Sequence, residues 1–210
     1  MIIVRTLPKN NKPTSLYIDE KLHNILMGLK NAVLKKNTSA VFIVDGRSGM
    51  GKTTLSCQIG ITLDETFDLH KIFYEPEVFL EGLSQAKKGD FLLFDEAMLS
   101  SNRSALTRIN LMIIQSMAMI RSKNIFVCFC VNSLFDLDKN LSISRADLLL
   151  HVYGRSLVER GRCGAFFRGR DGIDRLKQLY LSGKKYYDYS KPRANFIFRF
   201  TKEFVVNEKE

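Results

Sequence analysis

Residues Gly46, Arg47, Ser48, Gly49, Met50, Gly51, Lys52, Thr53 and Thr54 read GRSGMGKTT. A glycine, four residues, then Gly-Lys-Thr is the spacing of a loop that wraps phosphate. Glycines let successive backbone N–H groups turn inward around an anion. Lys52 supplies a point charge suited to β- and γ-phosphates, and the Thr53 hydroxyl is a ligand for Mg²⁺. A second stretch, FLLFDE from Phe91 to Glu96, has four apolar residues and then two carboxylates. Asp95 is placed to hold Mg²⁺ through water, and Glu96 to orient and deprotonate an attacking water. The pair favours hydrolysis of ATP over transfer to a small acceptor. Asn132 ends another apolar run. It either contacts a γ-phosphate or the attacking water, or simply makes a turn.

These residues need strands and helices to hold them. Ala40 to Val44 reads as a buried strand before the loop, and Thr53 to Leu63 as a helix whose positive end faces the anion. FLLFDE is apolar on both faces, as a central parallel strand is, and its acids stand at the end where open α/β sheets bind ligands. Lys71–Tyr74, Ile125–Val131 and Leu148–Tyr153 read as further strands. Helices are expected over Tyr17–Lys36, from Glu75 to about Lys87, over Ala105–Ser122 and over Ile173–Leu181. Met1–Val4 is expected as a short edge strand and Pro8–Pro13 as a loop. Gly154 to Gly172 is arginine-rich and reads as a β-hairpin, and Phe196–Val206 as a last strand. His151 reads as structural. The expected division is residues 1–39 as a strand and helix packing on the core, 40–153 as the nucleotide-binding core, and 154–210 as a basic extension.

The chain has 210 residues and a net charge of +10, distributed unevenly. Residues 1–40 hold 7 Lys/Arg against 2 Asp/Glu, residues 41–150 hold 11 against 13, and residues 151–210 hold 14 against 7. A near-neutral core with positive flanks suits contact with a polyanion, or else a solubilising surface. Cys57, Cys128, Cys130 and Cys163 lack a C-x-x-C pair and read as small buried thiols in a reducing compartment. No apolar run approaches the ~20 residues of a membrane span. The start, MIIVRTLPKNNK, is broken by Pro8 and Lys9 and does not read as a secretory signal. The expected location is the cytoplasm, that of a host cell if the chain is viral.

Together, GRSGMGKT, FLLFDE and the strand ending at Asn132 resemble the P-loop ATPases with an additional catalytic glutamate. FDEA, a Ser/Asn/Arg stretch and a long helix ending RSKN resemble the HerA/FtsK-type packaging and DNA-pumping ATPases and the zonular-occludens-toxin-like proteins of viruses and mobile elements. The resemblance spans roughly residues 40–155. It implies an α/β, three-layer fold with a mostly parallel sheet of order 5-1-4-3-2, counted from the strand before the loop. It also implies ATP and Mg²⁺ as ligands and a homo-oligomer, usually a six-membered ring. Lys52, Glu96 and Asn132 would be catalytic, Thr53 and Asp95 would hold the metal, and a neighbouring subunit's arginine would reach the γ-phosphate. Arg145 and Arg121 are the candidates, with Arg103 behind them. The expected function is an ATP-driven motor acting on DNA, in genome packaging or translocation. The alternatives are a nucleotide-switched assembly factor for virion morphogenesis or helicase loading, and a small-molecule or nucleoside kinase.

Overall fold

The computed structural model describes residues 2–9, 12–95, 103–154 and 161–200, with side chains described over 17–95, 107–154 and 161–200. Strands β1 (Ile2–Lys9) and β2 (Lys12–Ile18) form an antiparallel pair. The expected loop at Pro8–Pro13 is therefore mostly strand: Pro8 faces Pro13 across the pair, and Lys9 faces Lys12. Helix α1 (Glu20–Lys35) starts later than the periodicity suggests. Ile18 is spent in β2, and the Asp19 carboxylate caps the helix by accepting from the N–H groups of Lys21 and Leu22.

Seven strands make the main sheet: β3 (Ala40–Asp45), β4 (Ile72–Phe73), β5 (Phe91–Asp95), β6 (Phe126–Cys130), β7 (Leu148–Tyr153), β8 (Arg162–Phe166) and β9 (Phe196–Arg199). Their order is β4-β5-β6-β3-β7-β8-β9. The first five are parallel. Counted from β3, they run 5-1-4-3-2, the expected order. β8 and β9 add antiparallel strands to the β7 edge. The hairpin expected within 154–172 is thus built differently: β8 pairs back on β7 itself, and residues 155–160 lie outside the described residues. The basic extension continues the core sheet.

Helices α2 (Lys52–Leu63), α3 (Pro76–Gln85), α4 (Arg103–Lys123) and α5 (Arg175–Gly183) complete the layers. On one face Leu22 and Leu26 of α1 and Leu55 and Ile59 of α2 pack with Phe42, Val44, Leu148 and Leu150. On the other, Phe79 of α3, Ile109 and Ile113 of α4 and Leu176 of α5 pack with Ile43, Phe94, Phe129 and Leu149. Alternate residues of each strand feed opposite cores, which explains why these strands are apolar throughout. No helix among the described residues is long and apolar enough to cross a membrane.

Candidate functional site

The loop from Gly46 to Gly51 joins the C-terminal end of β3 to the first turn of α2. Gly46, Gly49 and Gly51 all have positive φ, at 135°, 77° and 99°. At Gly46 a side chain is also excluded by space, since a Cβ would sit 2.1 Å from the Val152 carbonyl oxygen. The loop can therefore turn over the end of β7 only with glycine there.

Lys52 is nearly buried, and its Nζ donates to the Gly46 carbonyl at 2.7 Å and to Asn132 Oδ1 at 3.3 Å. Thr53 Oγ1 donates to Asp95 Oδ2 at 2.5 Å. The ammonium, the hydroxyl and the carboxylate, 43 residues apart from first to last, thus converge on one end of the sheet. β5 and β6 are direct neighbours, which puts Asp95 and Asn132 on adjacent strand ends. The Asn132 carbonyl also accepts from the Gly46 N–H at 3.3 Å, which ties this strand end to the start of the loop. Thr53 and Asp95 offer two hard oxygens in contact, a donor set that fits Mg²⁺, which takes one or two protein oxygens and fills the rest with water and phosphate. Arg47 and Ser48 are exposed on the loop, Met50 packs into the core, and Thr54 is partly exposed.

Glu96 lies outside the described residues, as does the side chain of Arg103. Arg121 and Arg145 are exposed, but a single chain does not bring them to this site. Arg121 is in the last turn of α4, beside Ile120, whose carbonyl accepts from Ser39 just before β3. Arg145 closes a helical turn, Leu141–Arg145, that leads into the start of β7. Both therefore stand near the N-terminal ends of the parallel strands, while the loop stands at the C-terminal ends.

A polar cluster that the sequence analysis did not anticipate lies directly beneath the loop. Asp45, the residue before Gly46, is fully buried. Its Oδ1 accepts from His151 Nδ1 at 2.8 Å. Its Oδ2 accepts from the Leu134 N–H at 2.8 Å and from the Tyr189 hydroxyl. With that proton committed, Ser133 Oγ donates to the Tyr189 oxygen at 3.1 Å and accepts from the Phe135 N–H at 3.2 Å. Burial, the Asp45 charge and the hydrogen bond together push the Tyr189 phenol far above its ordinary range. His151, expected as structural, joins this cluster through its hydrogen bond to Asp45. Tyr189 carried a usable signal: GKKYYDYSKPR interleaves tyrosines with Lys184, Lys185, Lys191 and Arg193.

All four cysteines are free and buried. Burial, then the neighbouring Cys128 and Asp95, push the Cys57 thiol up to about 12.

No family model matches the chain, and no curated protein matches it. Among solved structures, the RuvB Holliday junction branch migration motor of Thermotoga maritima is similar, at 20% identity and a TM-score of 0.43, with 68% of this chain and 48% of that one covered. A mutant of the same RuvB gives 18% identity and a TM-score of 0.44, over 68% of this chain and 49% of that one. The chain spans about half the length of these RuvB structures.

Proposed function

We propose that the chain is a Mg²⁺-dependent ATP phosphohydrolase that acts on DNA as a motor, in genome packaging or translocation for a virus or mobile element. One geometric fact supports this most. Lys52 and Thr53, adjacent at the start of α2, touch Asn132 and Asp95 at the ends of two neighbouring parallel strands. A triphosphate over the loop would exchange the Gly46 carbonyl for its own oxygens as the partner of the Lys52 ammonium. The positive end of α2 and the loop N–H groups would stabilise the same charge without reorganising. Asn132, already in reach of Lys52 through Oδ1, would hold the attacking water, or the γ-phosphate through its Nδ2 hydrogens. Thr53 and Asp95 would hold Mg²⁺, which neutralises charge developing on the phosphate oxygens. Glu96, next in the chain after Asp95, would take the proton from the water.

In this reading the working form is a homo-oligomer, a ring of six by the family resemblance. Arg121, Arg145 or Arg103 of one subunit would reach the γ-phosphate of the next. Since the first two stand at the far ends of the strands from their own loop, they could serve only a neighbour. The basic flanks would contact DNA phosphates.

The test is the ATP hydrolysis rate against DNA concentration at low and high salt, beside mass measurement with and without ATP. DNA should stimulate turnover, and the stimulation should fall with salt. Turnover indifferent to DNA at low salt would sink the reading.

A further inference from the structure

The outer end of the sheet carries a second concave site, on the face turned away from α2. Leu150 and Val152 of β7 point into the core that contains Leu55 and Ile59 of α2. His151 and Tyr153 alternate with them and point the other way. On that side lies a cleft of about 740 Å³, bounded by His151, Tyr153, Tyr189 and Arg193, with Gly164 leaving its floor without a side chain. That volume is in the range of small-ligand sites.

The three rings are set as a stack. Tyr189 lies on His151 with centroids 3.7 Å apart and planes within 12°. His151 and Tyr153 are 5.9 Å apart and within 17°. The ring of Tyr189 is fixed by its hydrogen bond to buried Asp45 and by packing on Phe135 at 4.8 Å. The excursion that carries it, between α5 and β9, is itself tied down. Ser182 Oγ donates to the Lys191 carbonyl at 3.0 Å, and the Asn195 N–H donates to Ala165 at 2.8 Å. The aromatic wall is therefore pre-formed.

Beside the wall runs a row of cations. The strand register sets Tyr153 opposite Arg162, and Arg162 opposite Arg199. Among the described residues neither arginine pairs with a carboxylate, and Arg199 and Arg193 are exposed. Like charges directly across an antiparallel pair destabilise it unless an anion lies between them. A phosphate would satisfy both guanidiniums. Rigid aromatic faces flanked by cations accept a base by stacking and its phosphate by charge, and only a base outside a duplex has a free face to offer.

We propose that this cleft binds single-stranded nucleic acid, with a base against Tyr153 and its phosphate on Arg162 and Arg199. The proposal deepens the DNA-acting reading above and rests on it for its biological sense, while its binding step needs no ATP. His151, stacked on Tyr153, and Tyr189 both hold Asp45 beneath the loop, so the two sites share a wall.

The experiment is fluorescence anisotropy of a short labelled oligothymidylate with the full chain, in the absence of ATP. Tyr153→Leu should weaken binding by about tenfold with little change in salt dependence, as loss of one stacking contact does. The double substitution Arg162→Ala with Arg199→Ala should weaken it by about tenfold or more and flatten the salt dependence. Removing the same charge from the exposed turn before β5, by Lys87→Ala with Lys88→Ala, should change binding less than about threefold. If Tyr153→Leu fails to fold by circular dichroism, the arginine pair still decides. The proposal is overturned if a duplex binds as tightly as the single strand, or if the cleft variants bind like wild type. A chain that binds the strand here yet never hydrolyses ATP would leave this site standing and defeat the ATPase reading. DNA-stimulated hydrolysis that survives the cleft substitutions would do the reverse.

Discussion

Replacing Tyr189 with Phe tests whether the buried cluster under the loop stabilises the fold. The ring and its stack on His151 survive the change, so only the hydroxyl is lost. That hydroxyl donates to Asp45, which is fully buried, and also accepts from Ser133 and from the Leu134 N–H. A hydrogen bond to a charged group contributes about 1.5–3 kcal/mol, and more is lost where the partner left behind is buried. Asp45 keeps His151 and the Leu134 N–H, which argues for the middle of that range, about 2 kcal/mol. For a chain of this length the melting temperature should fall by roughly 4–8 °C. Tyr187→Phe is the internal comparison. Its hydroxyl also donates to a carboxylate, Asp136 at 2.6 Å, but Tyr187 is 54% exposed. Water replaces that bond, and the expected loss is under about 1 kcal/mol. Thermal unfolding followed by circular dichroism reads both variants. Equal shifts for the two, or a shift below about 1 °C for Tyr189→Phe, would refute the assignment of Asp45 as a stabilising hub.

Lys52→Ala should lower ATP turnover by at least about 100-fold, read by phosphate release, because it removes one preorganised charge from the transition state. Asp95→Asn should raise the Mg²⁺ concentration needed for half-maximal turnover while leaving the melting temperature within a few degrees. Gly46→Ala should destabilise the fold and abolish nucleotide binding, since the new Cβ would meet the Val152 carbonyl at 2.1 Å on a backbone with φ of 135°; calorimetry with a non-hydrolysable ATP analogue checks it. Stability should also depend on pH through Asp64 and Lys71. Burial raises the Asp64 carboxyl, but hydrogen bonds from Lys71, Phe91 and Thr66 outweigh it and hold the group below its ordinary value. Its contribution is present above about pH 4 and is lost as pH falls through the depressed value. Lys71 is lowered by burial but held above its ordinary value by Asp64 and Asp90. Its contribution is present below about pH 10.4 and is lost as pH rises through the raised value. Urea midpoints across pH should fall at the acid end, and Asp64→Asn should flatten that fall. Cys57, buried and pushed up to about 12, should resist thiol reagents at neutral pH until the chain unfolds.

The local code of the sequence determined the loop from Gly46 to Gly51, because the positive φ at 46, 49 and 51 favours glycine there. It determined the parallel core for the same kind of reason: strands such as FLLFD and FVCFC are apolar at every position and so must be covered on both faces. Even the order of five strands followed from the resemblance that the loop, FLLFDE and the strand ending at Asn132 carry together. Elements whose partners lie far along the chain were decided elsewhere. β8 was legible as a strand, but only the tertiary structure gave it β7 as partner, since an antiparallel pair depends on register and not on composition. The same holds at the start of the chain, where pairing overrode the loop chemistry of PKNNKP. Asp45 shows the limit most clearly. Nothing in the local sequence around Asp45 shows which partners its carboxylate takes. Its function as a hub arises because His151, 106 residues on, and Tyr189, 144 residues on, are folded against it. Hydrogen bonds between side chains that distant are set by the packing of the sheet, and no local periodicity records them.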